Sequence, residues 1–142
     1  MSSPSLVDTS VAVPLLLNSH PCHKMVASWA QGRVLGLSGH ALAETYSVLT
    51  RLAGDARVEP GDAVALIDGR FQASAVLSAG GAATAHQALA RAGVWGGATY
   101  DGLVALAALE HDVTLVTRDT RALATYDALG VKVEVLRTPP DV

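Results

Sequence analysis

The sequence predicts a three-layer α/β/α domain with a mostly parallel central sheet, on three observations. Short apolar runs such as Ser5-Leu6-Val7 and Val113 to Thr117 alternate along the chain with longer segments of helical period. Glycine follows several of the helical segments, at Gly32, Gly93 and Gly130, where a left-handed C-terminal cap needs it. Half of the residues are hydrophobic and only 16% are charged, with much of the apolar content in Ala, Val and Leu, a balance that favours packed layers over disorder.

The elements follow in order. Ser5-Leu6-Val7 reads as a strand that ends at Asp8-Thr9-Ser10, after which apolar residues continue through Leu17 as a helix. Met25, Val26 and Trp29 give a helix over 21–31, and Val34 to Leu37 a second short strand. Ser38 or Gly39 caps a longer helix running to about Ala53, with a buried stripe at Leu42, Tyr46, Leu49 and Ala53 and with Glu44 off that stripe beside Ala41 and Val48. A loop over 54–60 leads to a short helix over 61–69, a strand over Ala73 to Leu77 and a helix over 82–92. The remaining pattern is a helix from about Thr99 to Glu110, a strand over Val113 to Thr117, a helix from Thr120 to Leu129, and an alternating strand over Val131 to Val135. Strands alternating with helices imply right-handed crossovers, which put helices on both faces of the sheet. Residues 1–137 are assigned to one domain and 138–142, with Thr138-Pro139-Pro140, to a C-terminal tail.

Composition removes some function classes. A lone cysteine, Cys22, cannot form an internal disulfide, and the N-terminus lacks the basic-then-apolar pattern of a signal peptide, so the expected location is cytoplasmic. The longest apolar run, Leu103 to Leu109, is far short of the ~20 residues that span a bilayer, and no membrane role is expected. The formal charge of −3 has the wrong sign for a protein that holds nucleic acid by a basic surface alone. Four acids placed under a metal change that reading, because removing four negative charges from −3 leaves +1.

In open parallel sheets, sites form beyond the C-terminal ends of the strands, and Asp8 and Asp119 both stand there. Asp101 lies in the first turn of a helix whose following residues are apolar all round, on a face with Val104, Ala105 and Ala108. A carboxylate against such a face is costly without a counter-charge, no Lys or Arg lies within a turn of it, and a metal ion is one answer. Each acid also has a plain structural reading: Asp8 and Asp119 as N-caps, Asp101 as a partner of the helix dipole, Glu44 on a solvated helix face. His20, Cys22 and His23 lack the second pair that a zinc site needs and read as packing at a helix start.

Four segments together carry a resemblance. Leu6-Val7-Asp8-Thr9-Ser10, Glu44 in the helix ending Val48-Leu49-Thr50-Arg51-Leu52, Tyr100-Asp101-Gly102-Leu103-Val104-Ala105-Leu106-Ala107, and Thr114-Leu115-Val116-Thr117-Arg118-Asp119 occur in an order similar to that of PIN-domain ribonucleases of the VapC toxin type. His20-Pro21-Cys22-His23 with Trp29 resembles a VapC subgroup more loosely. Two positions depart from the pattern: Leu123 stands where a bulky aromatic is common, and Gly102 softens the central helix.

The resemblance implies a PIN-like fold and a metal-dependent endoribonuclease that acts as the toxin of a VapBC-type module. It implies Mg²⁺ or Mn²⁺ held by Asp8, Asp101 and Asp119, with Glu44 either ligating or orienting the attacking water, and RNA hydrolysis by a metal-activated water that leaves 5′-phosphate and 3′-hydroxyl ends. Hard oxygen ligands are consistent with those cations. Thr9, Ser10 and Thr117 are candidates to anchor water or phosphate, and Arg118 and Arg121 to hold RNA phosphates. The implied partners are an RNA substrate, a VapB-type antitoxin and a second copy of the chain in a homodimer. Two other readings remain: a PIN-like scaffold that binds RNA or protein without cutting, and a receiver-like signalling domain. The second lacks its acceptor Asp, because Ala73-Ser74-Ala75-Val76-Leu77 runs into Ser78-Ala79-Gly80-Gly81.

Overall fold

The computed structural model describes residues 3–137; the tail assigned to 138–142 lies outside the described residues. Four short strands, β1 (Ser5–Val7), β2 (Leu35–Leu37), β3 (Leu115–Thr117) and β4 (Val133–Val135), form one parallel sheet in the order β2-β1-β3-β4. Seven α-helices connect them: α1 (Thr9–Leu16), α2 (His23–Ala30), α3 (Ala41–Thr50), α4 (Pro60–Arg70), α5 (Ala79–Arg91), α6 (Ala98–Glu110) and α7 (Leu123–Leu129). Single 3₁₀ turns at Gly54–Ala56 and Thr120–Ala122 complete the chain, the second opening the helix expected from Thr120.

β1 through β3 are almost wholly buried, which is why they read as continuous apolar runs rather than alternating ones. Leu6, Val7, Leu35, Leu37, Leu115 and Val116 form the middle of the core, and Val11, Leu49, Val104, Ala105 and Tyr126 reach it from the helices. The chain leaves β1 for β2 on one side and β3 for β4 on the other, so the strand order reverses between β1 and β3. A crevice opens beyond the C-terminal ends of strands at such a reversal.

Several expectations from sequence are corrected. The stretch Ala73 to Leu77 is not a strand: one isolated bridge joins Ser38 to Ala75, and the Ser74 side chain donates to nothing in a ladder but accepts from Leu37 N–H at 2.9 Å. Ala73 and Ala75 N–H groups still donate to Leu35 O and Leu37 O, so the segment lies along the outer edge of β2. It comes so close that a Cβ on Gly36 would stand 2.2 Å from the Ala73 backbone. Secondly, α3 ends at Thr50, three residues before Ala53, and buries Ala41, Thr45 and Leu49, while Tyr46 is exposed and Leu42 only partly buried. The cause is the turn into the helix. Gly39, at φ +52°, sits against Leu103 O and Ala107, and the Ser38 hydroxyl donates to Val104 O at 2.7 Å instead of capping α3. These contacts set the rotation of α3 about its axis. Thirdly, α6 is central but not apolar-buried all round, because Leu109 is exposed. The assigned strand over Val113 to Thr117 and that over Val131 to Val135 are both shorter, starting at Leu115 and Val133.

Candidate active site

Asp8 follows β1 and caps α1: its Oδ1 accepts from Ser10 N–H at 3.1 Å and from the Ser10 hydroxyl. The capping role read from sequence is therefore real, but it uses only one oxygen. The other, Oδ2, accepts from the Tyr126 hydroxyl at 2.8 Å in the core. Asp8 is 6% exposed, and every partner it has is neutral. Burial pushes its carboxyl above the ordinary aspartate range, while the hydrogen bonds from Ser10, Thr117 and Tyr126 pull it back down. Burial, then the charge of Asp8, holds the Tyr126 phenol far above its usual range, so this hydroxyl stays a donor.

Asp119 follows β3 on the adjacent strand and caps the 3₁₀ turn, with Oδ1 accepting from Arg121 N–H at 3.0 Å and lying 3.5 Å from Arg121 Nε. Its own N–H donates to Thr117 Oγ1 at 3.0 Å. Ser10 ties the two strand ends together, since its Oγ accepts from Arg118 N–H at 2.8 Å and lies 3.3 Å from Thr117 Oγ1. Thr9 is bonded sideways to Thr45 at 3.3 Å.

Asp101 and Glu44 come from the helices. Asp101, in the first turn of α6, has its carboxyl raised by burial and then by the negative charges of Asp119, Glu44 and Asp8, with Arg121 pulling the other way. The other three acids named from sequence thus lie near enough to act on the Asp101 carboxyl. Glu44 and Asp101 also line one open cleft of about 540 Å³ between α3 and the start of α6.

One sequence expectation shifts, and one residue of the site had not been expected. Arg118 turns inward: Nη1 donates to Ser10 O at 2.9 Å, Nη2 to Cys22 Sγ at 2.9 Å, and Nε is buried with no hydrogen-bond partner among the described residues. It braces α1 and α2 against the end of β3, whereas Arg121 is 92% exposed beside Asp119. Tyr126 was not among the residues singled out from sequence. Its signal was faint, a single large aromatic one turn after Ala122 on a short Ala-rich helix, and core packing explains such a residue equally well. His20 Nδ1 accepts from Cys22 N–H at 3.0 Å and His23 Nδ1 lies 2.9 Å from Pro14 O, in keeping with packing at the helix start.

The donor set is hard oxygen, and none of the ion pairs among the described residues involves Asp8, Glu44 or Asp101. Among those residues no three His, Cys, Asp or Glu side chains stand close enough to cage an ion by themselves. Any cation taken up by these acids would meet few direct carboxylate contacts and would have to keep water in its shell. No helix among the described residues is long and apolar enough to cross a membrane.

The family profile of the PIN domain matches residues 5–129. The chain is 51% identical over 135 residues to ribonuclease VapC27 of Mycobacterium tuberculosis (strain ATCC 25618 / H37Rv), covering 95% of this chain and 98% of that protein. It is 41% identical over 130 residues to ribonuclease VapC40 of the same species, covering 91% and 96%. Among solved structures, the fold is similar to a chain in the crystal structure of DNA-bound VapBC from Salmonella typhimurium, with a TM-score of 0.61, 21% identity, and coverage of 95% and 98%.

Proposed function

The chain belongs to the PIN-domain family and, within it, to the VapC ribonucleases, and from that premise we propose that it is a toxin endoribonuclease cutting RNA at the four-acid centre with Mg²⁺ or Mn²⁺. The observation that carries the reading is the convergence on Asp101 of the charges of Asp119, Glu44 and Asp8 from three other elements. Like charges crowded without a counter-ion are unfavourable, and a divalent cation relieves them.

In this reading Asp8 and Asp101 hold the cation directly or through water, and Asp119 completes the set. Bound there, it supplies Lewis-acid stabilisation of the charge that builds on the phosphate and makes water a better nucleophile. Ser10 and Tyr126 fix the Asp8 carboxylate by bonding one oxygen each. Glu44, which lines the cleft and whose carboxylate accepts no hydrogen bond from the described residues, orients the attacking water there. Thr117 holds the loop after β3 through Asp119 N–H. Arg121 is the side chain best exposed to meet an RNA phosphate, and Arg118 acts through Ser10 as a positioning residue.

The VapBC assembly from Salmonella typhimurium supports extending to this chain a VapB-type antitoxin; a homodimer is part of the same proposal. Apolar surface is at hand for such partners, Trp95 being 82% exposed.

The test is RNA cleavage by the purified chain with Mg²⁺, with Mn²⁺ and with EDTA, beside Asp8→Asn. Metal-dependent cutting by the wild type alone is expected, together with a metal-induced rise in melting temperature that Asp8→Asn lacks. Cutting that persists in EDTA, or equally in Asp8→Asn, overturns it.

A further inference from the structure

The cleft beside the acids contains more than carboxylates. Along α3, His40, Glu44, Ser47 and Arg51 recur at intervals of four, three and four, so they form one stripe, and all line the cleft. From His40 to Arg51 the helix rises about 16 Å at 1.5 Å per residue. Opposite the first turn of that stripe stands Tyr100, the residue before Asp101. The His40 and Tyr100 rings pack with centroids 5.1 Å apart at a 31° tilt, and Tyr100 is nevertheless 54% exposed.

An exposed aromatic face paired with an imidazole has no packing role that would require it to be open. The pair is also held in place. Gly39, whose missing Cβ would lie 2.9 Å from that of Ala107, lets the start of α3 close onto α6, and Ser38 locks the same junction through Val104 O. His40 is therefore presented to Tyr100 by backbone geometry, not by chance surface contact. At the far end Arg51 is steadied by Ser47 Oγ, which accepts from Nη1 at 3.1 Å, and the rest of its guanidinium remains available.

We propose that this cleft seats unpaired RNA across the acids, with a base stacked on the Tyr100 and His40 rings and a phosphate several nucleotides along the same strand held by Arg51. Unpaired RNA is recognised by stacking splayed bases on Tyr and His rings, which a paired helix does not offer. The cleft volume of about 540 Å³ lies in the range of small-ligand clefts. Its length exceeds the roughly 3.4 Å that one nucleotide step occupies along a stacked strand, so base and phosphate contacts fit on the same molecule. The inference rests on the ribonuclease reading but assigns it residues other than the acids.

The probe is a set of short single-stranded RNAs carrying 2-aminopurine at successive positions, bound in EDTA so that nothing is cut. With the wild type, quenching is expected at a restricted position. Tyr100→Ala should lose that quenching and bind roughly 5- to 150-fold more weakly, the range for one base–aromatic stack. Tyr100→Phe should keep both, and the melting temperatures of all three should agree because the side chain is half open. Arg51→Ala should weaken binding without removing the quenching. If no position is quenched, or if Tyr100→Ala binds and quenches like the wild type, the stacking seat is overturned, and a Tyr100→Ala defect confined to antitoxin binding overturns it in favour of a protein surface. Cleavage with Mg²⁺ is measured separately, so a wild type that binds with quenching yet cuts nothing sinks the nuclease reading and leaves the cleft standing.

Discussion

Asp8 and Asp119, at the ends of neighbouring strands, are each held by hydrogen bonds within one network of Ser10, Thr117, Arg121 and Tyr126. The carboxylates of Glu44 and Asp101, on two helices lining an open cleft, accept no hydrogen bond from any described residue. The strand half of the site is set before anything binds; the helix half is left to adjust to what enters. Preorganised groups act without reorganising at the moment of reaction, and free ones tolerate different substrates.

Substitutions that neutralise one acid from each half give the sharpest test. Asp8→Asn and Asp101→Asn should each lower single-turnover RNA cleavage by about 10²–10³-fold or more, the scale of losing one electrostatic contact to a transition state. The halves should part company in what else changes, and an equal shift of melting temperature in both would break the comparison.

Tyr126→Phe comes next. It leaves the buried Asp8 Oδ2 without its donor, a loss of about 1–3 kcal/mol in chemical denaturation. A hydrogen bond that holds the Asp8 carboxyl down is lost with it, so the acid limb of the pH–rate profile should move to higher pH. An unmoved limb would mean that Asp8 need not be ionised.

A smaller effect concerns metal-free stability against pH. The Asp8 carboxyl is raised in the folded state, so folding binds a proton more tightly than the unfolded chain does. Stability contributed this way is present below the ordinary aspartate range and is lost as pH rises through the raised value. In EDTA the wild type should therefore lose stability across that window, and Asp8→Asn should lose less. Smallest of all, Glu44→Gln should leave stability within about 0.5 kcal/mol, since nothing in the fold is bonded to its carboxylate.

The layered fold and the four acids were legible because each left a local trace. Buried parallel strands read as apolar runs, and strand-end carboxylates fall where an open sheet places its sites. What escaped depends on packing between distant segments. The buried stripe of α3 is not legible in the sequence because Leu42 and Tyr46 suit a core as well as Ala41 and Thr45 do, and only the closeness of Gly39 to Ala107 sets the helix rotation. Arg118 looked like a surface cation until the positions of Ser10 and Cys22 gave it two partners. Tyr126 and Asp8 are separated by 118 residues, beyond any periodicity that could pair them.

The segment along β2 leaves the sheet with unlike margins. On that side Ala73 and Ala75 occupy Leu35 O and Leu37 O, and Gly36 admits them at a distance no larger residue would tolerate. Sideways growth of the sheet is sealed there. β4 is the other rim, only three residues long, and its Glu134 carboxylate accepts from Trp29 Nε1 at 3.0 Å. A rim so brief, with a charge at its midpoint, is a poor template for strand-to-strand aggregation. The sheet is thus guarded at one margin by a covering loop and at the other by shortness.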